Sequence, residues 1–178
     1  MPRPGREAVP REVASLWGEA EPRLRVGLGE MDRVLGGGLV PGSLVLIGGD
    51  PGVGKSTLIL QAAGRVAADG RGPVLYVSAE ESAQQVGMRA RRLAIGGHGL
   101  YVLAETNLEA ALAQADALRP SLMVVDSIQT VYSEAVPQTP GSVVQVRQCT
   151  LQLMRWAKAR GVPVIIVGHV TKEGEIAG

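Results

Sequence analysis

Eight consecutive residues, Gly49-Asp50-Pro51-Gly52-Val53-Gly54-Lys55-Ser56, combine three glycines with a closing lysine and hydroxyl. Glycine adopts left-handed backbone conformations at little cost and leaves space beside the chain. Such a segment can turn successive N–H groups inward as a nest for an anion. A helix starting at Lys55 would add its positive dipole end. Lys55 then supplies a point charge to the β- and γ-phosphates of a nucleotide, Ser56 a hydroxyl to magnesium, and Thr57 a contact to the α-phosphate. The chemistry implied is binding of ATP with Mg2+. A chance match in a glycine-rich loop would lack the strand before it and the helix after it, and this sequence has signals for both.

Three further side chains fit the same chemistry. Asp126 closes the apolar run Leu122-Met123-Val124-Val125. An acid at the carboxyl end of a buried strand sits on the edge where α/β sheets bind ligands, and there it can hold a magnesium-bound water. An ordinary helix-capping role is the competing reading. Glu80 and Glu81 follow the apolar run Val74–Ser78. One such glutamate can orient or activate an attacking water, and Glu80 is the first candidate. The other suits the dipole of the next helix. His169 directly follows the last apolar run and is a candidate sensor of the γ-phosphate, although a polar residue at a strand end carries little weight alone. His98, in Gly96-Gly97-His98-Gly99, reads as a solvated loop residue. Arg89, Arg91 and Arg92 read as a solvated helix face, with a DNA or subunit contact as the minority reading.

The elements that must position these residues are legible. Strands are expected at 43–48, 74–78, 100–103 (a short edge strand), 122–125 and 164–168. Helices are expected over 55–68, from Ser82, from Thr106 to before Pro120, and from Ser142 to about Arg160. Ser82 with Gln85, Thr106 with Glu109, and Ser142 with Gln145 have capping-box spacing. The last helix should bury Val143, Val146, Thr150, Leu153, Met154 and Ala157. Alternating strands and helices, with apolar runs long enough to be buried on both faces, predict an α/β fold: a mostly parallel sheet with helices on both faces. The stretch from Ser133 to Val146 is long for a connection, as functional loops often are.

Bulk properties narrow the function classes. The chain has 178 residues, 46% of them hydrophobic, enough for one domain with a sizeable core. A net charge of +1 announces no global field for nucleic acid, and 3% aromatics give no set of base-stacking platforms. Cys149 stands alone, so neither an intrachain disulfide nor a multi-cysteine zinc cluster is available, and a buried inert thiol is expected. No apolar run is long enough to span a bilayer and no leader opens the sequence, so a cytoplasmic protein without membrane contact is expected. Residues 1–22, with Pro2, Pro4 and Pro10, read as a linker or arm, and residues 23–178 as the core.

Longer stretches carry a resemblance. Residues 27–43 (Gly27-Leu28-Gly29-Glu30-Met31-Asp32 through Leu35-Gly36-Gly37-Gly38-Leu39-Val40-Pro41-Gly42-Ser43) and the phosphate loop closely resemble the bacterial RadA (Sms) family of DNA repair and recombination ATPases, relatives of RecA. Tyr76-Val77-Ser78-Ala79-Glu80-Glu81-Ser82, Val125-Asp126-Ser127-Ile128-Gln129-Thr130 and Gly168-His169-Val170-Thr171-Lys172-Glu173-Gly174 agree with it. The resemblance implies a RecA-like motor core working on single-stranded DNA and branched recombination intermediates within a ring-shaped hexamer. By it, Glu80 is the water-activating glutamate, Asp126 the magnesium acid and His169 the γ-phosphate sensor, and the region around Gln145 and Arg147 matches DNA-facing loops. The family's four-cysteine zinc finger, its Lys-Asn-Arg-Phe-Gly motif and its Lon-protease-like domain have no counterpart in these residues. The core is therefore expected to be incomplete at its C-terminal side, to bind DNA weakly and to turn ATP over slowly. The strand at 43–48 should then be a sheet edge, covered by self-association or by the N-terminal arm. A KaiC-like ATPase or kinase, or a non-catalytic ATP-binding assembly module, remains the alternative.

Overall fold

The alternation of apolar runs and amphipathic stretches becomes one five-stranded sheet in the computed structural model, which describes residues 9–19, 22–50 and 54–169. Pro51, Gly52, Val53 and the segment 170–178 lie outside the described residues. The strands are β1 (Leu44–Gly49), β2 (Val74–Ser78), β3 (Leu100–Ala104), β4 (Leu122–Asp126) and β5 (Val164–His169). They lie in the order β1-β5-β4-β2-β3, and every neighbouring pair is parallel. The expected α/β architecture is therefore present. β2 and β4 are buried at every position, and β5 at every position but its last, which is why their sequences read as unbroken apolar runs.

Period-two alternation divides the core. Val74 and Tyr76, Val124, Ile165 and Val167 face one side, where they pack with Ile59, Leu60, Ala63 and Val66 of α2 (Lys55–Ala68) and Val86 of α3 (Ala83–Arg92). Leu75 and Val77, Met123 and Val125, Val164 and Ile166 face the other side. They pack with Leu108, Ala111 and Ala115 of α4 (Leu108–Leu118) and with Cys149, Leu153 and Ala157 of α5 (Val143–Arg160).

The helix starts test the capping arguments. Ser82 and Gln85 form the complete capping box expected of them. At α4 the cap is Asn107, one residue later than expected, and its side-chain oxygen accepts from the N–H of Ala110 at 3.0 Å. Thr106 is occupied otherwise, because its carbonyl accepts from the N–H of Tyr132. The Glu109 carboxylate turns instead to Ser133 and Gln152. At α5 Ser142 does cap the N–H of Gln145, but the Gln145 amide does not reach back. It accepts from the N–H of Ser133 and donates to the carbonyls of Ser133, Val136 and Gln138, pinning the long loop. This polar residue therefore sits on the buried line Gln145-Cys149-Leu153-Trp156-Ala157, and the apolar face expected for α5 is rotated. Val143 and Met154, expected inside, are exposed. Cys149 is buried as expected.

Two features concern the approach to the site. A short helix α1 (Gly29–Val34) lies ahead of β1, where no helix is expected from the sequence. Its Asp32 is buried, and the two carboxylate oxygens accept from the N–H groups of Val26 and Gly27 at 2.8 and 2.9 Å. Gly38, at φ +138°, could not carry a side chain, because a Cβ there would stand 2.5 Å from the carbonyl oxygen of Leu24. The second feature is β1. As expected, it is an edge, paired only with β5 among the described residues, and Leu46 on it remains exposed.

Two outcomes follow from this packing. Asp32→Ala leaves two backbone donors without acceptors and should lower stability by about 2–4 kcal/mol in urea unfolding; a change within error would mean that water reaches both amides. Burial, then the nearby Glu109 charge, pushes the Cys149 thiol up to about 11. The folded protein therefore gains thiolate only as pH approaches that value, whereas the unfolded thiol ionises in its ordinary range. Iodoacetamide at pH 8 should label native protein far more slowly than urea-unfolded protein, and equal rates would contradict the burial.

Candidate nucleotide site

Parallel pairing brings the carboxyl ends of the strands to one edge. The register sets Gly49 beside His169, Val167 beside Asp126, and Asp126 beside Ser78. With neighbouring strands ~4.8 Å apart, Gly49 and His169 form one rung, Asp126 lies level with Val167 two residues before His169, and Glu80 follows the end of β2, all at the same sheet edge. Lys55, Glu80, Asp126 and His169, singled out from different parts of the sequence, thus share this edge.

At the phosphate loop, Gly54 is the N-cap of α2 at φ +82°, with open space where a Cβ would be. Side chains cap α3, α4 and α5, but none caps α2. Among the described residues, the first-turn amides of Lys55, Ser56 and Thr57 have no acceptor. The Lys55 ammonium folds across the mouth of the loop and donates to the carbonyls of Gly49 and Asp50 at 2.6 and 2.8 Å. Ser56 and Thr57 are half-buried on the same helical turn.

Asp126 is buried at the end of β4, and its Oδ2 accepts from the Tyr76 hydroxyl at 2.6 Å. Desolvation, then the Asp126 charge, holds the Tyr76 phenol far above its ordinary value, so it remains a donor. Behind it, Arg89 donates to the Tyr76 oxygen at 3.4 Å and pairs with Glu81. Arg89 therefore departs from the solvated face expected of it, while Arg91 and Arg92 are exposed. The reason is spacing: Arg89 lies one turn beyond the buried Val86 and shares its face. Glu81 is committed to this pair.

Glu80 points elsewhere. The Ser127 hydroxyl donates to its Oε1 at 3.2 Å, and Nε2 of His169 stands 3.5 Å from the same oxygen. Gln129 holds the His169 backbone from both sides, accepting from its N–H and donating to its carbonyl, each at 3.2 Å. Nδ1 of His169 is buried with no partner among the described residues. Sequence reasoning missed Tyr76, Ser127 and Gln129 as site residues. All three stand inside stretches that carry the family resemblance, but Tyr76, within the apolar run of β2, has the signature of a core position.

These residues fit a magnesium nucleotide. The uncapped amides and the ammonium suit phosphates. Asp126 gives one carboxylate at this edge, within magnesium's use of one or two carboxylates plus phosphate oxygens. Of the expected DNA-facing pair, Gln145 is buried and serves the loop backbone, while Arg147 is exposed. His98 is exposed in its loop, as expected.

The sequence is similar to those of known proteins. The DNA repair protein RadA of Bacillus subtilis is 53% identical over 169 residues, covering 95% of this chain and 37% of that protein. Its namesake in Pseudomonas aeruginosa is 51% identical, covering 98% of this chain and 38% of its own length. That of Streptococcus pneumoniae is 47% identical, covering 98% and 41%. The chain thus spans about two fifths of the length of these curated relatives. The AAA domain family matches residues 24–175, which include the whole described sheet and helices α1 to α5, and the chain belongs to that family.

Proposed function

We propose that this protein binds ATP with magnesium and hydrolyses it, as the ATPase portion of a DNA repair and recombination protein that acts on single-stranded and branched DNA. The observation that carries the reading is the meeting of Glu80 and His169 on the edge that begins with the phosphate loop. The RadA name shared by the relatives supports the DNA repair context.

The amides from Gly54 onward and the Lys55 ammonium hold the phosphates. Ser56, and Asp126 through a water, would hold magnesium, which would supply positive charge to the β- and γ-phosphates. Glu80 takes a proton from water as the water oxygen bonds to the γ-phosphorus and the bond to the ADP oxygen breaks. His169, beside Glu80, senses whether a γ-phosphate is present. Glu81 is left out of this chemistry because Arg89 holds it.

The intact protein works as a homo-oligomer, with a hexameric ring the arrangement its resemblance implies, and in the cytoplasm. No described helix is long and apolar enough to cross a membrane. For DNA, exposed Arg147 beside the loop that Gln145 pins is the better-supported contact.

Lys55→Ala should abolish tight ATP binding, whereas Glu80→Gln should keep binding and lose turnover, because one residue contacts ground-state phosphates and the other acts on water. Single-turnover hydrolysis and fluorescent-nucleotide titration measure both. A Glu80→Gln chain as fast as the parent would remove Glu80 from its role.

Single-stranded DNA should bind weakly. Raising salt from ~50 to ~200 mM should weaken it by roughly tenfold or more, since a few phosphate contacts carry the affinity. Nanomolar binding indifferent to salt in a fluorescence-anisotropy titration would contradict this.

A further inference from the structure

A tyrosine inside a parallel sheet has no need of its hydroxyl for packing. Tyr76 is fully buried among Ile59, Leu60, Val86, Val124 and other apolar side chains, and a phenylalanine would fill nearly the same space. The parallel register sets Tyr76 beside Val124, so Asp126 follows two residues further along the same face. Two residues of strand advance ~6.6 Å, about the reach of a phenol from its own Cα. The hydroxyl thus arrives at the Asp126 carboxylate because of where the ring is rooted.

The direction of the hydrogen bonds is forced. Arginine carries donors only. The Tyr76 oxygen must accept from Arg89, and its single proton then goes to Oδ2 of Asp126. The other arm of the guanidinium holds Glu81, whose backbone is fixed in turn. The Ser78 hydroxyl donates to the Glu81 carbonyl at 2.8 Å and accepts from its N–H at 3.2 Å. One guanidinium therefore links the loop that bears Glu80 to the Tyr76 hydroxyl, and through it to the carboxylate of β4. The Nε of Arg89 is buried without a partner among the described residues. A buried unmet donor opposes folding, so this arrangement is not the one that packing alone would favour.

We propose that Tyr76 and Arg89 are positioning residues of the nucleotide site, forming a one-way relay that aims Asp126 at the magnesium shell and fixes its relation to Glu80. This rests on the ATPase reading and deepens it. With Oδ2 held by the phenol, Oδ1, which has no hydrogen-bond partner among the described residues, is left to face the metal-bound water. Groups that orient a carboxylate in this way affect metal affinity without touching the metal.

The test is a binding measurement. Fluorescent ATP analogue affinity is titrated in EDTA and across a magnesium series for the parent, Tyr76→Phe and Arg89→Lys, with thermal melts alongside. For Tyr76→Phe the magnesium concentration giving half-maximal effect should rise about tenfold, with EDTA affinity within about twofold of the parent. Arg89→Lys leaves the sheet untouched and keeps the charge, but it cannot reach both Glu81 and Tyr76 as a fork. It should shift in the same direction. A parent with normal metal dependence beside variants with superimposable curves would overturn the positioning role alone. Equal losses in EDTA and in magnesium would overturn it in favour of a purely structural role. A parent that binds no better with magnesium than without would overturn the ATPase reading, and this role with it.

Discussion

Parallel pairing of β1, β5, β4 and β2 is the constraint on which the site depends. Parallel strands deliver all their carboxyl ends to one edge, and a sheet buried on both faces leaves that edge as the place where backbone and acids meet solvent. The cost is burial of every intervening residue, which the apolar runs of β2, β4 and β5 meet. The two faces are sealed by helices of different character. α2 brings small and branched residues (Ile59, Ala62, Ala63, Val66) close to the sheet, and its N-terminus then falls at the edge as the phosphate-facing end. A one-residue slip of β4 against β2 would carry Asp126 to the opposite face and away from Tyr76.

Within that frame the polar groups divide into two sets that share no atom. One holds Asp126, Tyr76, Arg89 and Glu81 beneath the edge, and the other holds Glu80, Ser127 and His169 above it. Adjacent residues, Glu80 with Glu81 and Asp126 with Ser127, join the sets through the backbone. Adjacent carboxylates thus do different work. Glu81, held by a guanidinium, fixes the loop, and that frees Glu80 to reach Ser127 and His169. An arrangement with both glutamates facing the edge would crowd negative charge where a triphosphate must sit.

How much of this was legible in the sequence depends on what kind of signal each residue leaves. Gly54 and Lys55 announce themselves because few backbones tolerate that pattern for any other reason, and Asp126 stands out as an acid ending an apolar run. Tyr76 leaves no such mark, since an aromatic in a buried strand is what a core position looks like, and only the register reveals its target. Arg89 was hidden by its neighbours Arg91 and Arg92, which are solvated as a basic cluster usually is. Gln145 misled in the other direction. A polar residue among apolar ones suggests an outward face, yet this amide meets carbonyls of a loop that has no ladder of its own, and it rotates α5 accordingly. The start of α4 shifted for a similar reason: Glu109 was drawn to Ser133 across the fold rather than to its own helix end. Local rules fail here where a long-range hydrogen bond outcompetes a short-range one.

The edge strand ties these elements to the phosphate loop. Among the described residues the strand β1 pairs with is β5, from Leu44 beside Val164 to Gly49 beside His169. The last rung therefore joins the residue that opens the phosphate loop to the residue that contacts Glu80. Gln129 grips His169 by both its N–H and its carbonyl, and Gln129 lies three residues beyond Asp126 in the chain. The position of the phosphate loop is thus referred, through one strand and one side-chain amide, to the segment that carries the magnesium acid. A strand paired on both sides would distribute that restraint. With one neighbour among the described residues, the loop and the histidine share a common support, so a shift of β5 relative to β4 would move both together while leaving Asp126 behind.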